Sequence, residues 1–265
     1  MNRIDRKFAE LRKASRKGFV LYLTAGDPTM SDSFKIISQV EKAGVDILEL
    51  GVPFSDPLAD GPTIQRASSR SLKHRTSMKD VLNLVKRLRK GGIEVPLVIF
   101  TYYNPVLKYG LKRFISDCSD NGVDGALILD LPHDEAGEYV LSASEKDIKT
   151  IFLITPTTPE RRIRDIVKVS SGFIYCVSRT GVTGARKDLS GEAPSIVKKI
   201  KRHTKLPVAV GFGISTAKQV KKVSGYCDAV VVGSAAVKKI EENINSKDIG
   251  KSVGRYVAAL TKGLT

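Results

Sequence analysis

Eight short apolar runs recur along the chain, at 19–24, 45–51, 95–101, 124–130, 149–155, 172–178, 207–211 and 228–233, and amphipathic stretches separate them. Runs this short, apolar on both faces and rich in Val, Ile and Leu, are the pattern of strands covered on both sides. Strict alternation with helices makes their sheet parallel. Eight such units in 265 residues predict an α/β chain folded as a (β/α)8 TIM barrel, one domain over residues 1–265, since such barrels commonly have about 250 residues. Ile4, Phe8 and Leu11 mark an extra N-terminal helix, expected to plug the bottom of the barrel. Ile249, Val253, Val257 and Leu260 mark a C-terminal helix, also expected to lie outside the eight units.

Local punctuation agrees with this reading. Gly44-Val45-Asp46 and Gly122-Val123-Asp124 each place a glycine, able to end a helix in the left-handed conformation, directly before a strand. Tyr226-Cys227-Asp228 is a looser echo of the same junction. Pro96 and Pro207 open two further strands, where a missing N–H is tolerated.

Charge and cysteine content bear on which classes of function remain. The formal net charge is +16 with a pI near 9.7, which raises nucleic acid as a partner. The basic residues are dispersed as pairs beside apolar helical positions, such as Lys86-Arg87 and Lys221-Lys222. No basic block is interleaved with aromatics, so a nucleic-acid partner is not expected. No apolar run reaches the roughly 20 residues of a membrane span, and the first residues lack a signal-peptide core, so no membrane partner is expected either. Cys118, Cys176 and Cys227 are odd in number and widely spaced, which reads as reduced thiols in a cytoplasmic protein. His74, His133 and His203 show no metal-ligand spacing.

The second run contains its own contradiction. Glu49 lies within Val45–Gly51, which otherwise reads as a buried strand, and Asp60 follows in a loop marked by Pro53, Pro57, Gly61 and Pro62. An unpaired buried carboxylate costs several kcal/mol or stays protonated. Two carboxylates in unlike surroundings are the usual way of dividing acid and base work. Strand alternation puts Ile47, Glu49 and Gly51 on the inner face, and Phe173, Tyr175 and Val177 on another. Structural alternatives stay open here: an internal ion pair for Glu49, a turn or helix cap for Asp60, a core tyrosine for Tyr175.

Three glycine-rich loops close the chain's run of units. Ser178–Gly184 follows the sixth strand, Gly211-Phe212-Gly213-Ile214-Ser215 the seventh, and Gly233-Ser234-Ala235 the eighth. Glycine lets backbone N–H groups approach an anion, and the loops after the last strands are where these barrels commonly hold phosphate. With two carboxylates, they indicate an enzyme acting on a phosphorylated small molecule.

The motifs together carry a resemblance. Tyr22–Pro28, Glu49–Gln65, Thr101-Tyr102-Tyr103-Asn104-Pro105, Asp130-Leu131-Pro132, Pro156–Pro159 and the three glycine loops span nearly the whole chain. In these segments it resembles the tryptophan synthase alpha subunits. The resemblance implies a lyase of tryptophan biosynthesis that cleaves indole-3-glycerol phosphate to indole and D-glyceraldehyde 3-phosphate, with Glu49, Asp60 and Tyr175 as catalytic residues. It implies a phosphate site at Gly184, Gly213, Gly233 and Ser234, and an indole pocket of Tyr22, Phe100, Leu127, Leu129, Leu153 and Phe212. The loops 52–62 and 179–193 would act as lids. No cofactor is implied in this subunit; pyridoxal phosphate would belong to a beta subunit, the expected partner in an alpha2-beta2 tetramer, touching Pro53, Asp56, Asn104 and Pro105. A non-catalytic activator of that partner is the alternative, opposed by the intact carboxylates. Arg75 and His133 depart from the family pattern, which often has Gly and Pro there.

Overall fold

The computed structural model describes residues 1–177, 192–211 and 213–264. Its strands are β1 (Gly18–Thr24), β2 (Ile47–Gly51), β3 (Leu97–Thr101), β4 (Gly125–Ile128), β5 (Lys149–Thr150), β6 (Leu153–Ile154), β7 (Ile174–Val177), β8 (Val208–Gly211) and β9 (Ala229–Val232). The helices are α1 (Arg3–Lys13), α2 (Met30–Lys42), α3 (Pro62–Lys73), α4 (Met78–Lys90), α5 (Tyr103–Tyr109), α6 (Leu111–Asn121), α7 (Gly137–Glu145), α8 (Glu160–Val169), α9 (Glu192–Lys201), α10 (Ala217–Ser224), α11 (Ser234–Glu241) and α12 (Ile249–Thr261).

All strand pairings are parallel, in the order β5-β4-β3-β2-β1-β9-β8-β7-β6. The expected fifth strand, 149–155, is therefore two short pieces at the two ends of this order. They belong to one segment that is hydrogen-bonded on both sides. The Ile151 N–H donates to Ala126 O at 3.1 Å on the β4 side, and Phe152 O accepts from the Tyr175 N–H at 3.0 Å on the β7 side. The segment changes partner at Ile151-Phe152, so the regular ladder breaks there and the sheet still closes into a barrel.

Among the described residues four helices, not two, exceed one per strand unit, because α3 with α4, α5 with α6, and α11 with α12 share connections and α1 precedes β1. The C-terminal helix α12 packs on α2 in the outer layer, and α11 is the short additional one. Outward residues such as Leu48 and Leu50 join Ile36, Ile37 and Val40 of α2 in the helix-to-sheet core. The plug expected of α1 is in place: Ile4, Phe8 and Leu11 pack on Val20, Ile47, Val98, Leu127 and Phe173 inside the barrel. Asn2 caps α1 by accepting from the Ile4 N–H and donates to the carbonyls of Asp124 and Asp147 at 2.9 and 2.7 Å.

The repeated junction has a structural reason. Gly44 and Gly122 have φ of 90° and 84°. The aspartate of each junction reaches back to an N–H at the start of the preceding strand: Asp46 accepts from Phe19, Asp124 from Leu97 and Asp228 from Val208, at 2.9, 2.8 and 2.9 Å. Each also meets a cation, from Arg16, Arg3 with Arg89, and Lys201. This binds neighbouring strands at the N-terminal end of the barrel and leaves the opposite end to the loops that carry chemistry. Arg75 has a φ of 56°, in the left-handed region that a glycine adopts freely.

Candidate active site

At the C-terminal end of the barrel a cavity is lined by Tyr22, Asp60, Ile64, Phe100, Tyr175, Gly213, Ile214, Val231, Gly233, Ser234 and Ala235. Seven of the residues singled out from the sequence thus meet at one opening: Tyr22, Asp60, Phe100, Tyr175, Gly213, Gly233 and Ser234.

Glu49 lies in the barrel wall beneath it. Strand register sets Tyr22 on β1 and Val98 on β3 on either side of Glu49 on β2. The side chain is 0% exposed, and neither carboxylate oxygen has a hydrogen-bond partner among the described residues. The ion-pair alternative therefore has no partner there. Burial without compensation raises the Glu49 pKa to about 8, so the group is mostly the neutral acid near pH 7. Burial first and then the charge of Glu49, when present, raise the pKa of Tyr175; for Tyr22 burial and the charge of Asp60 come first and Glu49 adds a smaller effect. The three groups share one interior environment.

Two glycines make room for those tyrosines. A β-carbon at Gly51 would collide with the hydroxyl end of Tyr22, and one at Gly211 would come within 2.7 Å of the Tyr175 hydroxyl. Tyr22 also meets the Phe100 ring edge-on, with centroids 5.1 Å apart at 79°. The result is an aromatic wall with hydroxyls turned toward the strand ends.

Asp60 comes from the loop between β2 and α3. A turn closes with the Asp60 N–H on Pro57 O at 3.1 Å, and the Ala59 N–H donates to the Tyr102 hydroxyl at 3.1 Å. Gly61 is the N-cap of α3 and no side chain caps that helix, so Asp60 is not the cap that its Asp-Gly-Pro context allowed. Desolvation raises its carboxyl to about 6, opposed by a hydrogen bond with Tyr102. The two carboxyl groups differ in kind: one is sealed in and protonated, the other sits at the cavity and ionises below neutrality.

The glycine loops lie across the cavity from the Asp60 loop. Gly213 has a φ of 69°. Gly233 is the N-cap of α11, so the first N–H groups of this helix, at Ser234 and Ala235, have no partner within it. Such a helix start attracts an anion through its N–H groups and dipole. Loops after the last strands, joined by a short extra helix, are the recurrent phosphate site of this architecture.

The remaining expected residues divide by depth. Leu127 is fully buried and belongs to the cluster around the α1 plug, with Leu129 and Leu153 packed against it as half-buried neighbours; none of the three lines the cavity. Gly184, Phe212 and almost all of the 179–193 loop lie outside the described residues. Pro53 is buried, Asp56 and Asn104 are exposed, and Pro105 is half-buried. Tyr102 was missed as a site residue, although its position at the end of β3 in the Tyr102-Tyr103-Asn104-Pro105 motif was a usable signal. Ile214 and Ala235 lie in glycine loops that the sequence marked but were not assigned to the site, and Ile64 and Val231 were missed because a helical or strand context alone carries no sign of facing the cavity. Among the described residues no three His, Cys, Asp or Glu side chains could together hold a metal ion, and no helix is long and apolar enough to cross a membrane.

Comparisons with known proteins agree with one another. A family model described as "Tryptophan synthase alpha chain" matches residues 8–260. Relatives of that name from Geotalea uraniireducens and Geobacter sulfurreducens are 48% and 46% identical, covering 100% of this chain and 98% and 99% of theirs. The solved alpha subunit from Legionella pneumophila superposes with a TM-score of 0.90 at 34% identity, covering 100% of this chain and 98% of the other. A Mycobacterium tuberculosis tryptophan synthase chain gives 0.91 at 34%, covering 99% and 98%.

Proposed function

The chain belongs to the tryptophan synthase alpha chain family, the lyases that cleave indole-3-glycerol phosphate to indole and D-glyceraldehyde 3-phosphate in tryptophan biosynthesis, and from that premise we propose how its residues divide the work. One domain carries the whole site. Cleavage of the carbon–carbon bond needs a proton on indole C3 and removal of one from the adjacent glycerol hydroxyl. Glu49, protonated near neutral pH, delivers the first and, once ionised, accepts the second, so its own proton count is restored. Protonation at C3 spreads positive charge to the ring nitrogen. Asp60, ionised at neutral pH, accepts the ring N–H and stabilises that charge in a site shielded from water. Tyr175 faces the reacting atoms beside Glu49. Tyr22 and Phe100 bound the ring, with Leu127, Leu129 and Leu153 behind them, and Phe212, outside the described residues, is assigned to the same pocket by the family resemblance alone. Gly184, Gly213, Gly233 and Ser234 hold the phosphate through backbone groups.

The observation that carries this reading is Glu49, buried and without a hydrogen-bond partner among the described residues, beside a cavity whose rim holds Asp60 at one side and the α11 N-terminus at the other. An isolated buried acid is a cost to folding, which a catalytic role explains.

The family also implies a beta subunit. We infer that it docks on the face that includes Pro53, Asp56, Asn104 and Pro105, in an alpha2-beta2 assembly in the cytoplasm. Leu58 and Leu107, 87% and 61% exposed, flank those residues and support an apolar contact there. The pyridoxal phosphate would reside in that partner, with no cofactor in this subunit. Because Asp60 shares its loop with Pro53, Asp56 and Leu58, docking would bias the loop toward the closed arrangement. The test is a lyase assay titrated with the cognate beta subunit. Activation of about 5–150-fold is expected for a coupling of ~1–3 kcal/mol. A flat rate through demonstrated complex formation contradicts the coupling, and no indole release under either condition contradicts the assigned roles.

A further inference from the structure

The catalytic loop and the phosphate end come from distant parts of the chain, and two helices bring them together. Helix α3 starts at Pro62, two residues beyond Asp60, and α11 starts at Ser234. On the cavity side of their seam, Ile64 and Ala67 pack with Val237 and Tyr22. A second contact between the two helices is ionic and has no part in the steps above. Glu241, the last residue of α11, accepts from Arg66 Nε and Nη2 at 2.7 and 2.8 Å and from Arg70 Nη1 at 2.8 Å. Arg70 places its Nε and Nη2 on Asp27 at 2.7 and 3.0 Å. Asp27 follows β1 and its side chain is 0% exposed. Two carboxylates and two guanidiniums balance, so no net charge is enclosed.

Apolar packing alone lets helices slide, whereas charge-assisted forked bonds fix both distance and direction. We propose that Glu241 and Arg70 are positioning residues that set the first turn of α11 relative to Asp60, and so the span that a phosphorylated substrate must bridge. This rests on reading the Gly233–Ser234 end as the phosphate site. The phosphoryl group is remote from the bond that breaks and is held alike in ground and transition states. Moving its N–H donors therefore weakens uniform binding, which raises KM and spares kcat. Simple loss of folded protein would do the reverse, lowering apparent kcat at constant KM.

The experiment measures indole-3-glycerol phosphate cleavage by the full chain as Glu241→Gln, Glu241→Asp and Arg66→Met, and titrates each with glycerol 3-phosphate and with indole. For Glu241→Gln, KM is expected to rise about five- to tenfold with kcat within about twofold. Affinity for glycerol 3-phosphate should fall by a similar factor while indole binding holds. Glu241→Asp, which keeps the charge, should recover much of the loss. Arg66→Met removes one exposed arm only and should give a smaller change of the same kind, which keeps the test open if Glu241→Gln folds poorly. Unchanged KM in both variants, or equal weakening of glycerol 3-phosphate and indole, overturns the positioning role. If the wild type releases no indole but the selective loss of glycerol 3-phosphate persists, the lyase roles fail and the positioning of an anion site stands.

Discussion

Tyr22 lies over Gly51 with its hydroxyl end in space that any β-carbon at that position would occupy. Gly51 and Glu49 share the inner face of β2, and Tyr22 is the register neighbour of Glu49 on β1. The missing side chain at 51 thus decides where the aromatic wall stands relative to the buried acid.

Gly51→Ala is expected to push the Tyr22 ring from its place. Forcing one methyl into a filled core costs about 1–3 kcal/mol, read as a lowered urea midpoint, and the displaced ring should lower kcat/KM at least tenfold. Adding Tyr22→Leu should restore much of the stability but not the activity. A single mutant with the wild-type midpoint would show that this contact is not tight.

Glu49 is expected to make stability depend on pH. Its pKa is raised by burial from 4.5 to about 8. The folded state holds the proton more tightly than the unfolded state, so the stabilising contribution is full below about 4.5 and is lost as pH rises toward 8. Glu49→Gln resembles the neutral acid and lacks this loss. Relative to wild type it should gain stability between pH 5 and 8, by a few kcal/mol at most, while losing turnover. A difference that stays constant with pH contradicts the buried-acid assignment.

The rate should be bell-shaped in pH. Asp60, with a pKa of about 6, must be ionised, which gives the rising limb. Glu49, at about 8, must be protonated, which gives the falling limb. In kcat/KM measured on the free subunit, Asp60→Asn should remove the acid limb from whatever activity remains. An acid limb that survives in the variant belongs to another group.

Arg75→Gly is expected to stabilise the chain. Relief of the left-handed conformation gains about 1–2 kcal/mol, offset by about 0.5–1 kcal/mol of added unfolded-state entropy. The net gain, below ~1.5 kcal/mol, should appear as a Tm rise of a few degrees. A lower Tm would mean that the Arg75 side chain contributes more than its backbone costs.

Much of this architecture was legible because it depends on local periodicity. Apolar runs marked the strands, and the i, i+4, i+7 spacing of Ile4, Phe8 and Leu11 marked the plug. The conflict between Glu49 and its apolar surroundings marked the chemistry. What escaped depends on tertiary geometry. Nothing in 149–155 signals that the segment changes hydrogen-bonding partner at Ile151-Phe152. The apolar face of α12 could not show that it belongs to the outer layer, with α11 as the additional helix. Which inner-face residues reach the cavity is also invisible to a period-two pattern, so Leu127 read like its register partner Phe100 although it is fully buried in the cluster around the plug while Phe100 lines the cavity. Tyr102 needed the folded position of the Asp60 loop before its hydroxyl acquired a role.

The division of labour between two unlike carboxyl groups is tested most directly by indole release from indole-3-glycerol phosphate by Asp60→Asn. The substitution keeps the size and removes the negative charge opposite the indole ring nitrogen. A fall of about 10²–10⁴-fold in rate, the scale of acid–base and electrostatic terms, with an unchanged thermal midpoint, is the expected result. A rate within threefold of wild type would contradict it.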